Sequence, residues 1–214
     1  MKKIMVATDF SERSDRALRR ATLLARQFEA TMQLVHVVDD DQPRRIVDAE
    51  RDEATTLLRQ IAATLRDVDG VTCETRVILA SPFVGIAQAV ADATPDLLVI
   101  GPHRRQVLRD VFIGTTAERT IRSVDCPVLM VNATPAGHYR HVLQTTDLSD
   151  GSRDALLRFY ELAEKSRVVH ATFLSQCTGG GHVGVTRQRH RPSTCGSTAG
   201  RLPGSRKGDG PRHS

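Results

Sequence analysis

At 214 residues, with 40% hydrophobic and 26% charged residues and no Trp, the chain has the composition of a globular protein with room for one domain and part of a second. No apolar run approaches membrane-spanning length, and the short one after Lys2-Lys3 meets Asp9 before a secretory core could form; the expectation is a cytoplasmic protein that does not engage a membrane. The net charge of +5 is no mark of a nucleic-acid binder, because seven Lys or Arg against one acid lie from Cys177 onward, leaving residues 1–176 near neutral. The four cysteines show neither C-x-x-C pairing nor zinc spacing, so no disulfide or metal framework is expected.

The run Lys3-Ile4-Met5-Val6-Ala7-Thr8 predicts a strand that stops at Asp9-Phe10-Ser11, with Ser11 placed to cap a helix. Ala17, Leu18, Ala21, Leu24, Ala25 and Phe28 then recur at spacings of three and four, an apolar stripe on that helix. Met32 to Val38 predicts a second strand ending at Asp39-Asp40-Asp41, and His36 within it is expected as a packing residue. Three consecutive acids at a strand end cannot all face one ion, so they are read as a solvated loop.

A long amphipathic helix is predicted over about 46–68, ended by Gly70, followed by an alternating edge strand over 72–79 and a short helix opened by Ser81-Pro82. Leu97 to Ile100 is continuously apolar, as suits a central parallel strand buried on both faces, and it stops at Gly101. Gly114-Thr115-Thr116 introduces a further helix, and Cys126 to Val131 supplies a fifth strand. Strands alternating with helices imply right-handed crossovers and a five-stranded parallel, doubly wound α/β sheet of Rossmann-like type. Ligands of such sheets bind beyond the carboxyl ends of the strands, where Asp9, Val38 and Gly101 fall.

Thr8, Asp9, Ser11, Ser14, Ala17 and Leu18 recur 138 positions later as Thr146, Asp147, Ser149, Ser152, Ala155 and Leu156. The domain over residues 1–135 is therefore expected to be followed at 140–176 by the start of a second copy, strand, helix and strand, that stops short. From Cys177 the composition turns to Gly, Arg, Ser, Pro and His, and residues 177–214 are expected to form a disordered basic tail. So abrupt a change inside a repeat is what out-of-frame translation after a frameshift produces.

Gly101-Pro102-His103-Arg104, nine further residues, and Gly114-Thr115 combine backbone-permissive glycines with a helix N-terminus, which suits a phosphate. This spacing resembles the nucleotide loop of the universal stress protein family, Gly-x2-Gly-x9-Gly-Ser/Thr. Four segments around it resemble that family in order: Ile4 to Glu12, Asp96 to Gly101, Gly114 to Arg119, and Cys126 to Val131. The resemblance implies an adenine-nucleotide alpha-hydrolase-like fold and a cytoplasmic stress-response module that binds ATP, with a magnesium ion allowed for, and turns it over slowly or not at all. It places the phosphates across Gly101, Arg104, Gly114 and Thr115, and the adenosine end at Asp9 and the end of the second strand near Val38. It also implies a homodimer paired through the strand Val128 to Val131.

One position departs from the pattern: the second loop glycine is Arg104. A side chain there closes the cradle, giving a nucleotide-free dimeric interaction protein, or else Arg104 and Arg105 donate to phosphate oxygens. The signature loops of ATP-consuming enzymes of this fold, Ser-Gly-Gly-x-Asp-Ser and His-x-Gly-His, are missing at the end of the first strand, and no Ser or Cys nucleophile has a recognisable partner.

Overall fold

The computed structural model describes residues 1–102, 119, 120, 123–139, 141–146, 170–175 and 185–189, together with 150, 153 and 157. Five strands form one parallel sheet: β1 (Lys3–Ala7), β2 (Thr31–Val38), β3 (Cys73–Leu79), β4 (Leu97–Ile100) and β5 (Val128–Met130). Their spatial order is β3-β2-β1-β4-β5, with β1 bonded to β2 on one edge and to β4 on the other. Among the described residues three helices join the first four strands, α1 (Glu12–Phe28), α2 (Arg44–Asp69) and α3 (Pro82–Ala93). This is the five-stranded parallel α/β sheet that the alternation of strands and helices implied.

The period of two along each strand divides the core. Ile4, Val6, Met32, Leu34 and Val99 pack with Ala17, Ala21 and Leu24 of α1 and Leu58 and Leu65 of α2. The alternate residues Met5, Val35, Ile78, Leu98 and Ile100 pack on the opposite face with Ala89 and Val90 of α3. All four residues of β4 are buried, as a strand covered on both faces requires. The sheet is anchored at its base by Asp96, whose carboxylate accepts the backbone N–H groups of Lys2 and Lys3. Those two bonds hold the Asp96 carboxyl below its ordinary pKa.

Local chemistry sets the element ends. Ser11 caps α1, its hydroxyl accepting from the Ser14 N–H. The three helices end in left-handed residues, Glu29 (φ 52°), Gly70 (φ 67°) and Thr94 (φ 42°). Only Gly70 meets that conformation without a Cβ clash.

After β5 the chain runs back along α1. Arg16 donates to the Asn132 carbonyl at 3.3 Å, Arg20 to the Gly137 carbonyl at 2.7 Å, and His138 Nδ1 lies 2.9 Å from the Gln27 side-chain oxygen. The Arg20 guanidinium also lies over the Tyr139 ring, 4.1 Å from its centroid. Spacings of four and seven put Arg16, Arg20 and Gln27 on one stripe of the helix.

A second sheet follows with order β6-β7-β8: β6 (His141–Thr146), β7 (His170–Ser175) and β8 (Val185–Arg189). β6 pairs parallel with β7, as β1 does with β2. Within the stretch expected as a tail, the five residues of β8 pair antiparallel with β7, and the remainder of 177–214 lies outside the described residues. Val185 and Thr186 are β-branched, and the edge of β7 opposite β6 offers them a ladder.

Thr94 is β-branched, exposed, left-handed and followed by Pro95, all of which oppose its conformation. Replacing it by glycine keeps the Thr94 N–H bond to the Val90 carbonyl while removing the clash, so Thr94→Gly should stabilise the chain by ~1 kcal/mol. The measurement is urea unfolding, with a higher midpoint and an unchanged slope as the expected result.

Candidate functional site

The first two crossovers carry the chain from β1 outward to β3, with α1 and α2 on one face of the sheet. The next one, through α3, returns across the other face to β4 on the far side of β1. The connection leaving β1 and the one arriving at β4 thus lie on opposite faces, and a cleft opens at the carboxyl ends of these strands. A cavity of about 300 Å³ lies there. Ala7, Thr8 and Asp9 line it from β1, Ile100, Gly101 and Pro102 from β4. Ser11, Arg13 and Ser14 contribute from the start of α1, and Pro82 and Ile86 from α3. Val35, His36 and Val37 close the β2 side, and Thr120, fully buried, comes from the helical residues after the loop.

The turn after β1 is held by a short hydroxyl network. Thr8 Oγ1 accepts the Phe10 N–H at 3.1 Å and donates to Ser14 Oγ, which in turn donates to the Ser11 carbonyl at 2.8 Å. Asp9 Oδ1 accepts from both the backbone N–H and the hydroxyl of Ser11. Burial alone would raise the Asp9 pKa, but the Ser11 bonds, with a further one from Ser14, outweigh it and hold the carboxyl below its usual value. Asp9 thus stands as a carboxylate acceptor at the cavity wall, with Arg13 as the neighbouring cation.

Gly101 is required by the approach of two backbones. A Cβ at this position would lie 2.7 Å from the Arg13 carbonyl oxygen and 2.8 Å from its carbon, so the end of β4 packs directly on the first turn of α1. Gly85 plays a related part in α3, where a Cβ would meet the Val37 side chain at 2.6 Å.

The structure therefore brings Asp9 and Gly101 together in one cavity wall. Val38 is placed differently: its side chain is buried with Val47 and Ala54, its carbonyl accepts the Ala80 N–H, and Val37 is the residue that lines the cavity. Arg104, Gly114 and Thr115 lie outside the described residues. His36, expected only to pack, bonds through Nδ1 with the Thr8 carbonyl at 2.8 Å and stacks on Phe10 with ring centroids 4.5 Å apart. Ser11, Arg13 and Ser14 also line the cavity, and an N-cap next to a strand end was the available signal for the two serines.

A parallel sheet with a cleft at its reversal point defines a doubly wound α/β module. The sequence profile described as the Universal stress protein family matches residues 1–132, and the chain belongs to that family. Universal stress protein MJ0531 of Methanocaldococcus jannaschii is 27% identical over 139 residues, spanning 61% of this chain and 81% of that one. A protein of the same family from Burkholderia pseudomallei, solved by crystallography, is 29% identical, with a TM-score of 0.52 over 62% of this chain and 96% of its own. A universal stress protein solved in complex with cAMP superposes with a TM-score of 0.52 at 23% identity, over 63% of this chain and 98% of its own.

Two outcomes follow from the geometry. Gly101→Ala forces its Cβ against the Arg13 backbone, which has no flexible end to yield, and should cost ~1–3 kcal/mol of stability in urea unfolding. Because the Asp9 pKa is lowered on folding, its ionised form stabilises the fold above the unfolded pKa, and that contribution is lost as pH falls through the folded one. The stability gap between the chain and Asp9→Asn should accordingly be constant above about pH 5 and close as pH falls through the lowered folded pKa, read by unfolding at each pH.

Proposed function

We propose that the chain is a cytoplasmic regulatory module of the stress response that holds ATP or a related adenine nucleotide in the cavity between β1 and β4, without fast turnover. The observation that carries this reading is the meeting of the Asp9 turn and Gly101 at the reversal point of the sheet. In the proposed complex Asp9 and the end of β2 hold the adenosine end, and the phosphates run along the chain from Gly101 through Arg104 to Gly114 and Thr115. The universal stress protein captured with cAMP supports an adenine nucleotide as a ligand this fold can house.

The residues present fit such a ligand. Asp9 offers a carboxylate acceptor, as a ribose hydroxyl or an exocyclic amine needs, and Arg13 offers a cation to an anion. Among the described residues no three His, Cys, Asp or Glu side chains form a metal cluster. In the proposed complex a magnesium ion would arrive with the nucleotide, held mainly by its phosphates and water. β5 is an edge strand of the main sheet, with Met130 40% exposed, and is the proposed homodimer seam.

Titration of the full chain with a fluorescent ATP analogue tests the proposal. Saturable binding is expected, weakened ~10–100-fold in Asp9→Ala by loss of a charged hydrogen bond. Arg104→Gly separates the two roles of that residue. Tighter binding, or binding by this variant alone, means that Arg104 closes the cradle; weaker binding means that it pairs with phosphate. Absence of binding by both proteins at millimolar nucleotide refutes the proposal.

A further inference from the structure

We infer that His36 is the positioning residue of this site, a clamp that grips the chain on both sides of Asp9 and fixes where its carboxylate stands. The inference rests on the nucleotide-binding reading for its functional meaning, and on the geometry of the turn for its substance.

Strand alternation sets the face on which His36 lies. Leu34 and Val38, two residues to either side, pack toward α1 and α2, whereas Val35 and Val37 pack toward α3. His36 accordingly sits beneath the β1–α1 turn. Its Nδ1 lies 2.8 Å from the Thr8 carbonyl oxygen, a group that only accepts, so Nδ1 carries the proton and donates. Its ring stacks on Phe10 with an interplanar angle of 29°. Thr8 and Phe10 are the immediate neighbours of Asp9.

The grip matters because Phe10 is left-handed, with φ 58°, a conformation that costs a bulky L-residue about 1–2 kcal/mol in the absence of compensation. A turn so arranged relaxes unless its surroundings hold it. The Thr8 N–H is fixed by the Val35 carbonyl at 2.9 Å, and the Thr8 hydroxyl by Phe10 N–H and Ser14; His36 holds the Thr8 carbonyl, and it shares the Phe10 ring with the apolar cluster of Val38, Val47 and Ala54. Release of either would let Asp9 leave Ser11, whose two donors aim its carboxylate. A histidine that merely packs would be replaced by phenylalanine without consequence for Asp9.

Two variants each retain one grip. His36→Phe keeps a ring for Phe10 and loses the donor; His36→Asn keeps a side-chain N–H near the Nδ1 position and loses the ring. The first measurement needs no ligand: NMR titration of the Asp9 side-chain carboxyl in the full chain. With the clamp as inferred, the Asp9 midpoint rises toward that of an ordinary aspartate in His36→Phe and returns at least partway in His36→Asn. The second is affinity for the fluorescent ATP analogue, expected to fall about tenfold in His36→Phe, with Asp9→Asn costing less in that background than in the parent.

An unmoved Asp9 midpoint in His36→Phe, or affinity losses that simply add, overturns the clamp. Should His36→Phe not fold, Phe10→Leu removes the stacked ring from the opposite side and must raise the Asp9 midpoint by the same reasoning, or the clamp is refuted. If the parent binds no analogue, the nucleotide reading fails while the carboxyl titration still decides the role of His36.

Discussion

The architecture depends on β1 being bonded on both edges to strands that the chain reaches over opposite faces of the sheet. The carboxyl end of β1 borders the cleft because the connection leaving β1 crosses one face of the sheet and the one arriving at β4 crosses the other. The cavity is therefore a product of topology before any side chain is chosen. The side chains decide what the opening is made of: a hydroxyl and carboxylate turn on the β1 side, and bare backbone on the β4 side, where Gly101 lets the strand end touch the Arg13 carbonyl.

Rigidity around that opening comes from two apolar layers whose membership alternates residue by residue along each strand. Ile4 and Val6 tie β1 to α1 and α2, and Met5 between them ties it to α3. All three are fully buried, so rotation or slippage of β1 would expose apolar surface on both faces at once. The turn at 8–11 is thus mounted on the best-fixed strand of the sheet. In that turn Asp9 and Ser11 face the opening while Phe10 packs inward on the core; the rest of its conformation depends on hydrogen bonds, and His36 supplies one of them from the neighbouring strand.

Much of this was legible in the sequence because it rests on period and punctuation. Apolar runs ending at Asp9 and Gly101, helical stripes between them and Ser11 as a cap suffice to place the strands, and the cleft follows from their alternation. What was not legible depends on parity and on contacts distant in sequence. Val38 and Val37 are indistinguishable as letters, but a step of one residue along a strand exchanges its faces, and the register Ala7↔Val35 decides that Val37 meets the cavity. His36 among three valines and a leucine carries the signature of packing; its polar role exists only because β2 runs beside β1 and Phe10 turns left-handed above it. Val185–Arg189 was hidden by the composition of its surroundings, where Gly, Arg and Ser outweigh a short β-branched start.

Helix α1 joins the site to the rest of the chain. Its first turn carries Ser11, Arg13 and Ser14 into the cavity wall and receives Gly101 at backbone contact. Further along, Arg16, Arg20 and Gln27 hold residues 132–139, the connection from β5 toward β6. Arg20 is only 8% exposed, and a guanidinium so covered strongly resists loss of its partners, the Gly137 carbonyl and the Tyr139 face. A 17-residue helix is about 25 Å long and stiff on that scale. The connection is consequently strapped to the same rigid body that forms the cavity wall, and removing it from α1 would require a buried cation to find new partners or return to water.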